Sequence, residues 1–138
     1  MNYNDRQRQS SNIAITDLSD RDPIAIGEIV AKESKRNLTA SQLRKIMSAA
    51  TSVKNKIERE SSDKDELSSE IVDEINYMRL RVIYQMGRFE NVNYHLGKKG
   101  GLIDLPEIIR NIGKSKKKFM AFYRLIESII AYNKFYSA

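Results

Sequence analysis

Apolar residues in this chain recur at helical spacing in three long stretches and nowhere alternate in the way a half-buried strand requires. Leu43, Ile46, Met47, Ala50, Val53 and Ile57 follow the three, four, seven spacing of one helix face. Ile71, Ile75, Met78 and Val82 make a second stripe. Phe119, Phe122, Tyr123, Ile126, Ile129, Ile130 and Asn133 make a third, widened by Leu125, Tyr132 and Tyr136. Each stripe needs another element to cover it, so the pattern predicts an all-α fold, a compact bundle of five or six helices.

Local signals set the helix ends. Asp22-Pro23 reads as an N-cap with Pro at the first helical position, opening a short helix whose apolar residues are Ile24, Ile26, Ile29 and Val30. Thr39 and Gln42 form a capping box, with Leu38 and Leu43 placed as a hydrophobic staple. The acidic connector from Glu60 to Ser69 leads into a third helix, which is expected to stop with Gly87 as its C′ residue. Tyr77, Leu80 and Tyr84 lie opposite that helix's main stripe, which predicts a helix buried on both sides. Phe89 to Leu96 reads as a short helix before the basic loop Gly97-Lys98-Lys99-Gly100-Gly101. Pro106 starts another, with Leu105, Ile108, Ile109 and Ile112 inward and Gly113 after it, and Ser115 caps the last. Residues 1–21 lack a sustained period and are read as a flexible arm, leaving 22–138 as a single helical-bundle domain.

Composition narrows the chemistry. With no Cys and the single His95, disulfides, thiolate nucleophiles and most transition-metal sites are excluded, so neither a metal nor another cofactor is expected. Gly113-Lys114-Ser115 resembles the end of a phosphate-binding loop, but Ile108 stands where that motif needs a Gly and no strand precedes it. The acidic run from Glu58 to Glu74 lacks the Asp, Asn and Gly pattern of a calcium loop. The chain therefore reads as not an enzyme. A charged fraction of 30%, a mean hydropathy of −0.54 and no long apolar run exclude a membrane span. No signal-like segment is present, so the expected location is cytoplasmic.

Charge is polarised along the chain. The 138 residues carry a net +6; residues 58–74 carry a net −6, with eight acidic and two basic side chains, and from Arg79 onward the net is +8, with twelve basic and four acidic. Lys114, Lys116, Lys117 and Lys118 crowd the start of the last helix, where the macrodipole is already positive, so an anion is expected there. Phosphate oxygens would meet both the lysines and the free N–H groups of the helix end. Lys117 and Arg124 share a face. Tyr3, Tyr94 and Tyr132 are the tyrosines that could stack on bases.

Four segments, in order, carry a family likeness: Leu38-Thr39-Ala40-Ser41-Gln42-Leu43-Arg44-Lys45-Ile46-Met47, Val82-Ile83-Tyr84-Gln85-Met86-Gly87-Arg88, and, bounding the last helix, Lys116-Lys117-Lys118-Phe119 and Ile130-Ala131-Tyr132-Asn133-Lys134-Phe135-Tyr136. In these the chain resembles the small subunit of the type III-A CRISPR effector, the Csm complex. The resemblance implies a non-catalytic, RNA-binding helical subunit. Copies of it would stack along the backbone subunit, near the large subunit, and contact guide RNA and target RNA. Arg44, Lys45, Arg88 and Lys116, Lys117 and Lys118 match the family's basic positions, with Arg79, Arg81 and Arg124 as weaker additions. The other reading of the same charge is a helical adaptor whose basic face meets an acidic protein.

Overall fold

The structure, a computed structural model, describes residues 13–60, 63–97 and 100–137. Among the described residues six helices form in chain order: α1 (Pro23–Glu33), α2 (Ala40–Glu60), α3 (Ser69–Arg88), α4 (Glu90–Leu96), α5 (Leu105–Arg110) and α6 (Lys116–Ser137). Isolated bridges are the only β pairing among the described residues. No helix among them is long and apolar enough to cross a membrane. Tyr3 and the Lys98-Lys99 pair lie outside the described residues.

The bundle is organised around α6. Phe119, Phe122, Leu125, Ile126 and Ile129 are all fully buried, and burying each such side chain is worth roughly 1.5–3 kcal/mol. Their width exceeds what one neighbour covers, so α1, α2 and α5 all pack against α6. The α1–α6 crossing is the closest. A Cβ on Gly27 would collide with Ser128 Oγ and stand 3.1 Å from Ile129 N, and the Ser128 hydroxyl donates to the Ile24 carbonyl at 2.7 Å. Further along this seam the Tyr136 hydroxyl donates to Glu28 at 2.7 Å. The α1 residues that reach the core are Ile26, Val30 and Ala31; Ile24 and Ile29, expected to join them, lie off the seam and are exposed.

α2 and α3 form an antiparallel pair. Ser68 caps α3 through the Ile71 N–H and donates to Glu60 at the end of α2, and Lys56 pairs with Glu74 at 2.8 Å one turn further in. At the other end the capping box holds: Thr39 N–H donates to Gln42 Oε1, and Gln42 N–H to Thr39 Oγ1. Gln42 and Asn91 exchange amide hydrogen bonds, which clamps α4 onto the start of α2. Two expectations for α3 fail. Gly87 is an ordinary helical residue, because the helix continues to Arg88 and the chain turns at the half-buried Phe89. Tyr77, Leu80 and Tyr84 are 65%, 59% and 64% exposed. Their face is open because the neighbours of α3, which are α2, α4 and α5, all lie against its other sides.

Part of the segment read as an arm is docked. Ile15 N–H donates to Leu102 O and Asp104 N–H to Ile15 O, Asn111 donates its amide to Thr16 O, and Leu18 is buried. Asp104 also caps α5. Gly113, at φ +56°, turns the chain out of α5 toward α6 in a conformation that favours glycine.

His95 belongs to the core. It is 8% exposed, the Asn37 amide lies 3.4 Å from its Nε2, and burial holds its pKa below the ordinary 6.5. The folded chain thus keeps a neutral imidazole while the unfolded chain protonates first as pH falls below about 6.5. The His95 contribution is complete above that value and is lost as pH drops toward the folded pKa. A thermal-melting series between about pH 7 and pH 5.5 should show a declining midpoint that His95→Gln flattens. Gly27→Ala should destabilise by about 1–3 kcal/mol through overpacking at the crossing. Gly87→Ala, with open space around it, should stabilise by about 0.5–1 kcal/mol in the same denaturation measurement.

Candidate nucleic-acid interface

The antiparallel α2–α3 pair brings the start of α2 beside the end of α3. Lys45 and Ser48 from α2 face Arg81 and Gln85 from α3 across a groove of about 300 Å³ floored by Ile46, Ala49 and Val82. Arg44 is exposed on the same turn of α2 as Lys45. Arg88 lies two turns beyond Arg81 on α3, its guanidinium 5.2 Å from the centre of the Phe89 ring. Lys45 and Arg81, 36 residues apart in sequence, thus share one groove. At the opposite end of the pair the connector and first two turns of α3 carry Asp63, Glu66, Glu70 and Asp73. The charge asymmetry seen along the sequence becomes a basic and an acidic end of one helical hairpin.

The lysines at the start of α6 have a different setting. The Asp65 main-chain oxygen accepts from Lys116 N–H at 2.9 Å, and its carboxylate accepts from Lys117 N–H at 2.9 Å and from the Ser115 hydroxyl at 3.0 Å. Lys118 N–H donates to Ser115 Oγ and Phe119 N–H to Ser115 O. All four N–H groups of the first turn are engaged, so they are not free for phosphate as the sequence suggested. The anion expected at this helix end is an aspartate of the same chain. Leu67, buried and bonded through its N–H to Lys114 O, pins that connector in place.

The side chains of Lys117, Lys118 and Arg124 line a cleft of about 480 Å³ with Arg21 and with Asp17 and Asp20. Hydrogen bonds from Ser19, and then the Lys118 and Arg21 charges, hold the Asp17 carboxyl below the ordinary aspartate range. Lys117 and Arg124 do share a face, in a cleft of mixed charge. Arg79 points elsewhere: its Nε–H donates to Pro106 O at 2.9 Å and its guanidinium lies 3.8 Å from Glu107, joining α3 to α5. Among the described residues no group of His, Asp and Glu is arranged to hold a metal ion.

Comparison with known proteins decides the family. The profile described as Csm2 Type III-A matches residues 19–138, which takes in all six helices. The chain belongs to the type III-A Csm2 family. It is similar to the Csm2 protein of the CRISPR system in Streptococcus thermophilus, with 31% identity over 110 residues covering 78% of this chain and 82% of that one. It is also similar to Csm2 of Enterococcus italicus, at 30% over 101 residues (72% and 68% covered), and of Mycobacterium tuberculosis, at 28% over 104 residues (75% and 79%). The protein is thus a small subunit of the type III-A CRISPR effector, the Csm complex.

Within this Csm2 subunit, sequence reasoning missed Asp65, Gln85 and the outward tyrosines of α3. The spacing of Tyr77, Arg81, Tyr84 and Arg88 was the available signal, since positions four, three and four apart share one helix face. Of the tyrosines it did single out, Tyr94 is half-exposed with its ring edge-on to His95, and Tyr132 stacks on Tyr136. The Asp65 contacts carry a stability consequence. Asp65→Ala should cost about 0.5–2 kcal/mol in urea denaturation, the range measured for removing a helix cap, with Asp65→Asn recovering part of it.

Proposed function

We propose that this subunit is non-catalytic and binds RNA, with the basic end of the α2–α3 pair laid on the phosphates of guide and target RNA. Copies stack along the backbone subunit of the complex, beside the large subunit, and base pairing between the two RNA strands reads the sequence. The observation that supports this most is the shared groove of Lys45 and Arg81, flanked by Arg44 and Arg88, with the acidic residues of the hairpin gathered at its far end. A phosphate backbone entering there meets cations from two helices. The non-catalytic reading is supported by the lone His95, which is spent on core packing with its imidazole held neutral.

The Lys116, Lys117, Lys118 and Arg124 region is a second, weaker surface, because Asp65, Asp17 and Asp20 already offset its charge. Arg79 is engaged by Pro106 and Glu107 and is assigned a structural role.

Fluorescence anisotropy with labelled single-stranded RNA across a salt series tests the assignment. Lys45→Ala with Arg81→Ala should weaken binding at every RNA sequence and reduce the slope of log affinity against log salt by roughly 0.7 for each phosphate that is no longer neutralised. Lys117→Ala with Lys118→Ala should change it less. An unchanged slope in the Lys45/Arg81 variant would reject the groove as the phosphate site.

A further inference from the structure

Directly beside the Lys45/Arg81 groove, the outer face of α3 holds a second concavity, of about 220 Å³, lined by Tyr77, Leu80, Arg81, Tyr84 and Gln85. We propose that it is a pocket for one unpaired nucleobase of the RNA; this rests on the RNA-binding function proposed above. Tyr77 and Tyr84 lie seven residues apart, so both rings stand on one face about two helical turns apart with Leu80 between them. These are among the most exposed large apolar side chains of the described residues, at 65%, 59% and 64%. A flat aromatic ligand that enters between them covers all three.

The occupant is chosen by the polar groups around this apolar floor. Arg81 and Gln85 line both the base-sized pocket and the neighbouring groove that Lys45 completes. One strand can therefore leave its phosphate on the cations and turn its base onto the tyrosines without crossing any other element. Gln85 Oε1 is covered and has no hydrogen-bond partner among the described residues. Turning that amide outward would give it an N–H donor on the base edge. No carboxylate lines either concavity, so Arg81, Lys45 and the unsatisfied Gln85 amide meet an anionic, hydrogen-bonding strand without a competing charge. Aromatic rings interleaved with arginines are the usual platform for unpaired bases.

The test compares the full-length chain's affinity, at low salt, for three fluorescein-labelled RNAs: a uridine dodecamer, an abasic ribose-phosphate dodecamer of equal charge, and a blunt duplex. The uridine strand should bind roughly 5- to 100-fold more tightly than the abasic strand, the range one stacked base supplies. Tyr77→Ala with Tyr84→Ala should remove that difference while leaving the affinities for the abasic strand and the duplex unchanged. Tyr77→Phe with Tyr84→Phe should retain it. Both pairs are on the surface, and a thermal melt would verify that they fold. Equal affinity of the wild-type chain for the uridine and abasic strands overturns the base pocket while leaving the phosphate contacts standing. Failure to bind any of the three overturns both. If the alanine pair leaves RNA affinity unchanged but alters the mass measured by light scattering, the face is a contact between copies and the base pocket is wrong.

Discussion

The last helix has more apolar surface to bury than any single neighbour can cover. Phe119, Phe122, Leu125, Ile126 and Ile129 spread over a wide arc of α6, and the rest of the fold is arranged to enclose it. α1 comes close enough to need Gly27 opposite Ser128, α2 reaches it through Thr51 and Tyr123, and α5 closes a third side. α2 packs against both α6 and α3, and at its start Arg44 and Lys45 stay exposed. α3 then packs onto α2 rather than being enclosed by the bundle, and its outer face stays open. The open basic face is thus a consequence of how the core is covered.

A helix that begins with three consecutive lysines has an unfavourable first turn unless something negative meets it. Here the acidic connector between α2 and α3 supplies it. Asp65 bonds to the first N–H groups of α6, Leu67 anchors the connector, and the chain neutralises its own helix end. This internal pairing sorts the protein's charges by task. The acidic run, which along the sequence looks like a solvated stretch, contributes Asp65 to a cap and leaves its other carboxylates at one end of the hairpin. At the other end Arg44, Lys45, Arg81 and Arg88 are exposed, and no carboxylate lines the groove between Lys45 and Arg81. That separation distinguishes Lys45, Arg81 and Arg88 from the equally basic Lys117 and Lys118.

Much of the architecture was legible because it is written in local terms. The Thr39–Gln42 capping box, the Asp22 cap, the turn at Gly113 and the core stripes of α2, α5 and α6 depend on residues within a few positions of one another, and the fold places them as their spacing implies. The basic candidates were legible as residue types, helped by the family likeness. The readings that failed needed information about distant neighbours. Whether Tyr77, Leu80 and Tyr84 are inside or outside depends on how many elements reach α3. Whether Gly87 ends the helix depends on Phe89 finding the core two residues later. Residues 15–18 have no period of their own, yet dock because Leu102 and Asp104 offer hydrogen-bond partners to Ile15.

The sequence by itself determined that the chain is helical, where most of its helices begin, that its charge is polarised and that thiol chemistry is absent. Periodicity, capping and composition act over a turn or two, so they survive without knowledge of the rest of the molecule. Only the tertiary structure decided which charges meet. It set Asp65 on the first turn of α6, 52 residues from Lys117, and brought Lys45 and Arg81 to one groove. It also left a tyrosine-lined pocket open beside that groove. Pairings of this kind are fixed by which helices must cover which face of the core, a constraint that no local pattern contains.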